Sequence, residues 1–300
     1  MRLIAAALLW PALALGAVDA KDAAFLSEGY RLFGTLTVPA GGAARAAVLI
    51  IPGSGPVDRD GTSKAAPQMP PVYKMWAERL GDAGIGALRY DKRYLTHTDI
   101  DTVTLDQEAQ IADAIAALRY LRTQVPGKPI FVIGHSEGGM MAPLVAERTG
   151  ATAGVVVINA AQFPIDELVI AQVQAGGAPQ DYVDGLTKVF ARLKDGSFPA
   201  KGQLLGAGQN YWKQWIKYST ESPATLSRLK VPVLLVQCME DETLPGAMLE
   251  RNVKALRSVQ KAQLRLLKGH DHLGMVVGSH EPSPEFMRTL INWIQPRAAK

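Results

Sequence analysis

The chain has 300 residues, a hydrophobic share of 48% and a formal net charge of +4. This composition is sufficient for a large core in an α/β domain. The mixed charges include no Lys/Arg cluster of the kind that follows a phosphate backbone, which argues against nucleic-acid binding. The single cysteine, Cys238, excludes an internal disulfide and any multi-cysteine metal site.

The first twenty residues, MRLIAAALLWPALALGAVDA, differ from the rest of the chain. One arginine precedes an apolar run that is short for a membrane span and has no basic flank beyond it. Val18 and Ala20 fit cleavage after Ala20, and Ala14 and Gly16 fit almost as well. We expect a signal peptide over 1–20, so that the mature protein is periplasmic or secreted without a stable membrane span. The alternative is an uncleaved anchor, which N-terminal sequencing of the exported protein would reveal through a retained initial methionine.

Short apolar runs alternate with longer helical patterns, which is typical of a mostly parallel sheet with crossover helices. A polar/apolar alternation predicts an antiparallel strand at 28–38. Further strands are predicted at 46–52, 84–90, 129–134, 153–160, 231–238 and 262–268. Helices are predicted at 72–84, 104–122, 137–148, 246–257 and 284–294. Thr104 and Gln107 match a capping box at the start of the second helix.

One long interval, about 161–228, separates two predicted buried strands, although a plain crossover needs far fewer residues. We interpret it as an inserted, mostly helical cap over the end of the sheet, within one domain that covers 21–300. Four aromatic residues are spaced three or four apart and form a stripe on one helix: Tyr211, Trp212, Trp215 and Tyr218. The stripe can pack the cap against the rest of the domain or contact substrate, and different rings of the stripe can have different roles.

The segment Gly134-His135-Ser136-Glu137-Gly138 has the pattern G-x-S-x-G between a predicted strand and a predicted helix. The abrupt turn forces an unfavourable backbone conformation, and the two glycines relieve the crowding that it causes. The Ser136 hydroxyl then projects above the strand end, close to the positive N-terminus of the helix. In this context the pattern predicts a nucleophile, and the alternative is an ordinary strand-to-helix turn.

A serine nucleophile needs a base, and the base needs a carboxylate to orient it. His270 and His272 follow the last predicted strand, from which a loop can reach the serine. His135, beside the serine, is expected to pack or hydrogen-bond locally. The carboxylate is expected from the residues after strand 231–238, namely Glu240, Asp241 and Glu242. The order serine, acid, histidine is the one that this architecture requires.

The chain resembles the α/β-hydrolase superfamily over about 25–297. It looks most like bacterial serine esterases related to dienelactone hydrolases and to the catalytic domains of acylaminoacyl- and prolyl-oligopeptidases. The segments that carry the resemblance are IPGSGPVDRDG (51–61), LRYDKR (88–93), GHSEGG, EDETLP and GHDHLG. The chain continues DKRYLTHTDI where relatives continue DKRG, so the rim of the pocket is expected to differ.

The resemblance implies a triad of Ser136, Asp241 and His272, because relatives place the acid in D-x-x-V-P and the histidine in N/D-H-x. Glu240 and His270 are the second choices. An oxyanion hole requires two donors, and one is the backbone N–H of Glu137, which follows the nucleophile. Resemblance and the PGSG loop together indicate the Ser54 N–H as the other donor. The alternatives for this loop are a flexible turn and a phosphate loop, but it lacks the lysine of a phosphate loop.

Three charged residues of the same loop are expected to brace it through ion pairs: Asp58, Arg59 and Asp60. The function implied by the resemblance is hydrolysis of carboxylic esters with short to medium acyl chains, with a small-molecule ester as partner and no cofactor or metal. A peptidase of the oligopeptidase type is less expected, since those relatives carry a large N-terminal propeller. A non-catalytic ligand-binding homologue is the remaining alternative. The sequence carries no indication of the oligomeric state.

Overall fold

The computed structural model describes residues 18–42 and 44–299. Most of the expected signal peptide lies outside these residues and stays a prediction. The last three residues before the expected cleavage point, 18–20, begin the first strand of the sheet.

The central sheet has eight strands in the order β1-β2-β4-β3-β5-β6-β9-β10, and β7 and β8 form a separate hairpin. Their bounds are β1 Val18–Ser27, β2 Tyr30–Pro39, β3 Ala46–Ile51, β4 Ile85–Tyr90, β5 Ile130–His135, β6 Gly154–Ile158, β7 Gln203–Leu204, β8 Ala207–Gly208, β9 Val233–Cys238 and β10 Gln263–Leu267. β2 is antiparallel to β1 and β4, and the other neighbouring pairs of the large sheet are parallel. The predicted strands and the mostly parallel sheet are therefore confirmed, while β1 was not predicted.

Helices flank the sheet, which confirms the α/β class. Their bounds are α1 Val72–Asp82, α2 Arg93–Thr96, α3 Gln107–Gln124, α4 Glu137–Thr149, α5 Ile165–Ala175, α6 Gln180–Asp195, α7 Gln209–Arg228, α8 Ala247–Ser258 and α9 Pro284–Ala298. Within the described part of the chain, no helix combines the length and apolar character that crossing a bilayer requires.

The predicted capping box at the start of α3 is wrong. Thr104 ends a short 3-10 turn, and α3 begins only at Gln107. The Asp106 side chain caps the helix by accepting a hydrogen bond from the Ala109 N–H at 2.8 Å. Aspartate is a strong N-cap residue, and its position two residues after Thr104 shifts the start of the helix. Gln107 is left free to point into the interior, where it is fully buried.

The core lies on both faces of the sheet, as β3 illustrates. Ala47, Leu49 and Ile51 belong to one buried apolar cluster, and the alternating residues between them belong to a second. Such two-sided burial explains why the parallel strands appear in the sequence as continuous apolar runs. The carboxyl ends of the parallel strands meet at one edge of the sheet, where loops that carry function collect in open α/β folds.

The interval between β6 and β9 contains α5, α6, the β7–β8 hairpin and α7. The aromatic stripe lies on α7, where the rings of Trp212 and Trp215 stack with centroids 5.6 Å apart. Tyr218 is also buried. Trp215 additionally lines the large cavity beside Ser136, so one ring serves both packing and pocket formation.

Candidate active site

Ser136 stands alone between the end of β5 and the start of α4, with φ 54° and ψ −120°. Few non-glycine residues adopt a positive φ, and such strain concentrates at functional sites. A Cβ atom on Gly134 would lie 2.1 Å from the Gly138 carbonyl oxygen, and one on Gly138 would lie 2.3 Å from the Ile51 carbonyl oxygen. The two glycines of the motif are therefore required by backbone contacts, as the sequence predicts.

We expect Gly134→Ala to lower the free energy of unfolding by about 3 kcal/mol, because the new methyl group meets backbone that cannot rotate away. Gly185→Ala is the matched control, since a Cβ atom there meets nothing within 4 Å in the middle of α6. Alanine in a helix interior should raise stability by about 0.5–1 kcal/mol. Urea unfolding measures both effects. A Gly134→Ala variant as stable as the parent would contradict the steric account of the turn.

The Asp241 carboxylate meets the His272 ring in the loops after β9 and β10. His272 Nδ1 lies 2.9 Å from Asp241 Oδ1, and the Asp241 side chain is completely buried. The same oxygen accepts hydrogen bonds from the Thr243 N–H at 3.0 Å and from the Thr243 hydroxyl at 2.7 Å. Gln237 Nε2 donates to the other carboxylate oxygen at 3.3 Å. The acid is thereby fixed so that it holds the proton of the ring on Nδ1.

Electrostatics strengthens this pair. Burial disfavours a charged His272, but the Asp241 carboxylate more than offsets it, and the pKa of His272 is raised above its usual value. Burial likewise opposes ionisation of Asp241, but the His272 ring and the bonds from Thr243 lower its pKa overall. The site is thus built to favour an ionised carboxylate beside a histidine that gains a proton.

Ser136 and His272 line the same cavity, of about 380 Å³. The ring of His135, the residue before the serine, lies with its centroid 4.6 Å from that of His272. Within the described chain, the Ser136 hydroxyl makes no hydrogen bond to another side chain. In proteins without substrate such catalytic bonds are often long, and they tighten in the reactive complex.

A relay of hydrogen bonds links the predicted oxyanion loop (51–61) to His272. The Gly53 N–H donates to the Tyr73 hydroxyl at 2.8 Å, and that hydroxyl lies 2.8 Å from His135 Nδ1. His135 Nε2 lies 2.9 Å from the His272 carbonyl oxygen, which also accepts from Asn159 Nδ2 at 2.8 Å. These partners assign the proton to Nε2, because a carbonyl can only accept. Burial first, and His272 second, lower the pKa of His135 to about 3, so the ring is neutral.

Glu137 and Ser54, the predicted oxyanion donors, both line the cavity beside Ser136. Glu137 is the first residue of α4, and the N–H groups of a first helical turn have no intrahelical acceptor. On the other loop, a Cβ atom on Gly53 would lie 3.2 Å from the Ser136 Cβ. Glycine at this position lets the loop approach the serine closely.

The model of the alpha/beta hydrolase family matches residues 48–287. This chain belongs to the alpha/beta hydrolase family. It is 30% identical over 261 residues to esterase EstD of Thermotoga maritima, a match that covers 85% of this chain and 61% of EstD. The chain thus spans less than two thirds of the length of that relative.

Solved structures share the fold of this chain. Dienelactone hydrolase from Anabaena variabilis has a TM-score of 0.55 at 18% identity, and the match covers 93% of this chain and 96% of that one. Pyrococcus horikoshii acylaminoacyl peptidase has a TM-score of 0.62 at 14% identity, over 96% of this chain and 43% of that one. These are the two kinds of protein that the sequence motifs resemble.

The other candidate acids and base, namely Glu240, Glu242 and His270, stabilise the loop after β10. The buried His270 ring places Nε2 2.5 Å from the Ser283 hydroxyl and Nδ1 2.7 Å from the Lys268 carbonyl oxygen. Glu240 accepts a hydrogen bond from the His270 N–H at 3.1 Å. Glu242 accepts one from the His272 N–H at 3.4 Å. None of the three lines the cavity beside Ser136.

Arg59 and Asp60 brace the predicted oxyanion loop through ion pairs, as expected, whereas Asp58, among the described residues, accepts hydrogen bonds from backbone N–H groups in place of the expected ion pair. Arg59 pairs with Asp91 at 2.5 Å, and Asp60 pairs with the buried Arg89. Asp58 accepts hydrogen bonds from the Asp60 and Thr62 N–H groups, each at 2.9 Å. Arg89 and Asp91 belong to the LRYDKR segment, so its charges hold the loop in place.

Proposed function

We propose that this hydrolase cleaves carboxylic esters through an acyl-enzyme on Ser136, as a carboxylesterase of the EC 3.1.1 class. The observation that carries the proposal is that His272, 2.9 Å from the buried Asp241 carboxylate, lines the same cavity as a serine on a strained strand-to-helix turn. The 30% identity to esterase EstD supports the same chemistry.

In this mechanism Ser136 Oγ attacks the ester carbonyl carbon while His272 Nε2 takes the hydroxyl proton. The Ser54 and Glu137 N–H groups donate to the oxyanion that forms. The C–O bond to the alcohol then breaks, and His272 returns the proton to the departing oxygen. A water molecule, deprotonated by His272, then attacks the acyl carbon, the bond from that carbon to Ser136 Oγ breaks, and His272 returns the proton to Oγ as the carboxylic acid leaves. Asp241 holds the imidazole tautomer and stabilises its charged form throughout.

The cavity favours uncharged acyl groups of short to medium length. Its walls are largely apolar side chains, including Met69, Met140, Leu168, Val169, Trp215 and Leu273. The Glu137 carboxylate at its edge is already paired with Lys92, so it is not available to a substrate cation. A charged acyl group would lose its hydration without gaining a counter-charge.

Turnover of p-nitrophenyl esters tests this proposal. We expect the highest kcat/KM on uncharged acyl chains of two to about eight carbons, and a value about tenfold lower or less on the hemisuccinate ester. Aminoacyl p-nitroanilides serve as peptidase substrates, and Ser136→Ala serves as the control for non-enzymatic hydrolysis. Faster cleavage of the anilides would favour a peptidase, and the absence of turnover on every substrate would favour a ligand-binding homologue.

A further inference from the structure

A buried ion pair lies beside the elbow, which is the strand-to-helix turn at residues 134–138. Lys92 Nζ is 3.3 Å from Glu137 Oε2, and the two side chains are only 5% and 0% exposed. Burial alone would lower the pKa of Lys92, but the Glu137 carboxylate and then Tyr94 more than offset this effect, so the pKa of the lysine is raised. Buried ion pairs contribute little net stability compared with apolar side chains. This pair, placed beside Ser136, therefore requires another explanation.

The Lys92 ammonium also binds the oxyanion loop on both sides of Ser54. Its Nζ donates to the Gly53 carbonyl oxygen at 2.6 Å and to the Gly55 carbonyl oxygen at 3.1 Å. A trans peptide is planar, so the Gly53 carbonyl and the Ser54 N–H belong to one unit and point in opposite directions. The bond that fixes the carbonyl oxygen on Lys92 therefore fixes the direction of the N–H. A cation on the carbonyl also polarises the peptide and strengthens its N–H as a donor.

The Glu137 carboxylate connects the Lys92 ammonium to α7 of the proposed cap. Gln107 Nε2 donates to Glu137 Oε1 at 2.8 Å, and the Tyr211 hydroxyl on α7 donates to the same oxygen at 2.5 Å. The backbone N–H of Glu137 is the second proposed oxyanion donor. Both donors are thus tied to one buried pair of charges, which the cap contacts through Tyr211.

We propose that Lys92 is a positioning residue for the oxyanion hole, which orients the Gly53–Ser54 peptide and, through Glu137, joins both donors to the cap. The inference rests on the proposed ester hydrolysis, because an oxyanion hole acts only where negative charge develops on a carbonyl oxygen. Lys92 itself does not line the cavity, so it acts through the loop that it holds.

The neighbouring residue offers a matched control. Arg93 is also buried and pairs with the buried Asp113 at 2.6 Å. Its other hydrogen bonds go to Glu28 and to the Ala109 carbonyl, and none of them goes to the oxyanion loop. Lys92→Met and Arg93→Met each remove a buried cation and leave a buried carboxylate unpaired, so both should be destabilised. Only Lys92→Met should change the chemistry at Ser136.

We expect Lys92→Met to lower kcat for p-nitrophenyl butyrate by about 10²-fold, with KM within about twofold, because a displaced donor weakens only transition-state binding. Arg93→Met should keep kcat within about threefold. Titration with a fluorophosphonate counts active sites, so that kcat refers to folded enzyme. Equal kcat for the two variants, or a change confined to KM, would overturn the proposal.

Glu137→Gln keeps the backbone donor and the side-chain shape, and it provides the test if Lys92→Met does not fold. Without the charge that holds Lys92, kcat should fall about tenfold, and the affinity for a trifluoromethyl ketone should fall by the same factor while KM stays constant. Unchanged kcat and unchanged ketone affinity would overturn the proposal. If the parent enzyme neither hydrolyses esters nor reacts with the fluorophosphonate, the proposed function fails and this inference fails with it. If the parent enzyme is active and the Lys92→Met and Arg93→Met variants have the same kcat, this inference alone is refuted.

Discussion

Replacing Ser136 with alanine is expected to lower kcat on an uncharged p-nitrophenyl ester by about 10⁴-fold or more. The variant loses the only oxygen that can form the acyl-enzyme at the elbow, whereas the backbone donors remain and leave a small residual rate. The Ser136 hydroxyl makes no hydrogen bond to another side chain in the described chain, so we expect the free energy of unfolding to change by less than about 1 kcal/mol.

Ser63 provides the control for this substitution, because it lines the same cavity and is also buried. Its hydroxyl oxygen accepts a hydrogen bond from the Ala65 N–H at 3.3 Å within its own turn. Ser63→Ala should keep kcat within about threefold, since no reacting atom is removed. A Ser136→Ala enzyme that retains more than a tenth of the parent kcat would refute the role of Ser136.

Asp241→Asn is expected to lower kcat by about 10³- to 10⁴-fold. An asparagine amide can donate a hydrogen bond to His272 Nδ1, which then holds the imidazole proton on Nε2. In that tautomer Nε2 cannot accept the proton from Ser136. Glu240→Gln is the control, because Glu240 bonds to the His270 backbone and should keep kcat within about threefold. Equal losses in the two variants would contradict the assignment of Asp241 as the acid.

The pH dependence of kcat/KM supplies a second test of Asp241. This profile reports groups in the free enzyme, and His272 must be neutral to act as a base. Because the pKa of His272 is raised above its usual 6.5, activity should fall as the pH decreases through a midpoint above 6.5. Asp241→Asn removes the charge that raises this pKa, so the midpoint of the residual activity should move to lower pH. A midpoint that is the same in both enzymes would contradict the proposed pairing.

The elbow was predictable because its chemistry is local in sequence. Ser136 and its glycines stand between a buried apolar run and a helical pattern, and their steric roles follow from the turn itself. The predicted acid and base were harder to identify than the serine. The sequence left Glu240 and His270 as alternatives to Asp241 and His272, and only the fold shows that the His270 ring bonds to Ser283 and Lys268.

The supporting contacts could not be read from the sequence because they join distant segments. His135 was expected to pack or hydrogen-bond locally, yet its hydrogen-bond partners Tyr73 and His272 are 62 and 137 residues away. Asn159 directly follows β6, and a polar residue at the end of a buried strand is the signal that could have identified it. The Glu137 side chain was assigned no role, although three residues from separate segments bond to its carboxylate: Lys92, Gln107 and Tyr211.

The edge of the sheet was missed for a related reason. β1 pairs only with β2, and several of its residues are exposed, so its sequence lacks the continuous apolar run of a central strand. It also overlaps the segment that the apolar N-terminus assigns to a signal peptide. In the interval between β6 and β9, helical spacing indicated the aromatic stripe on α7, but only the packed structure separates the roles of its rings.

Labelling with a fluorophosphonate, followed by mass spectrometry, tests whether Ser136 is the nucleophile. We expect one phosphonyl group per chain, located on Ser136 by peptide mapping, with labelling lost in Ser136→Ala and slowed in Asp241→Asn. A label on any other residue, or an active esterase whose Ser136 stays unmodified, would contradict it.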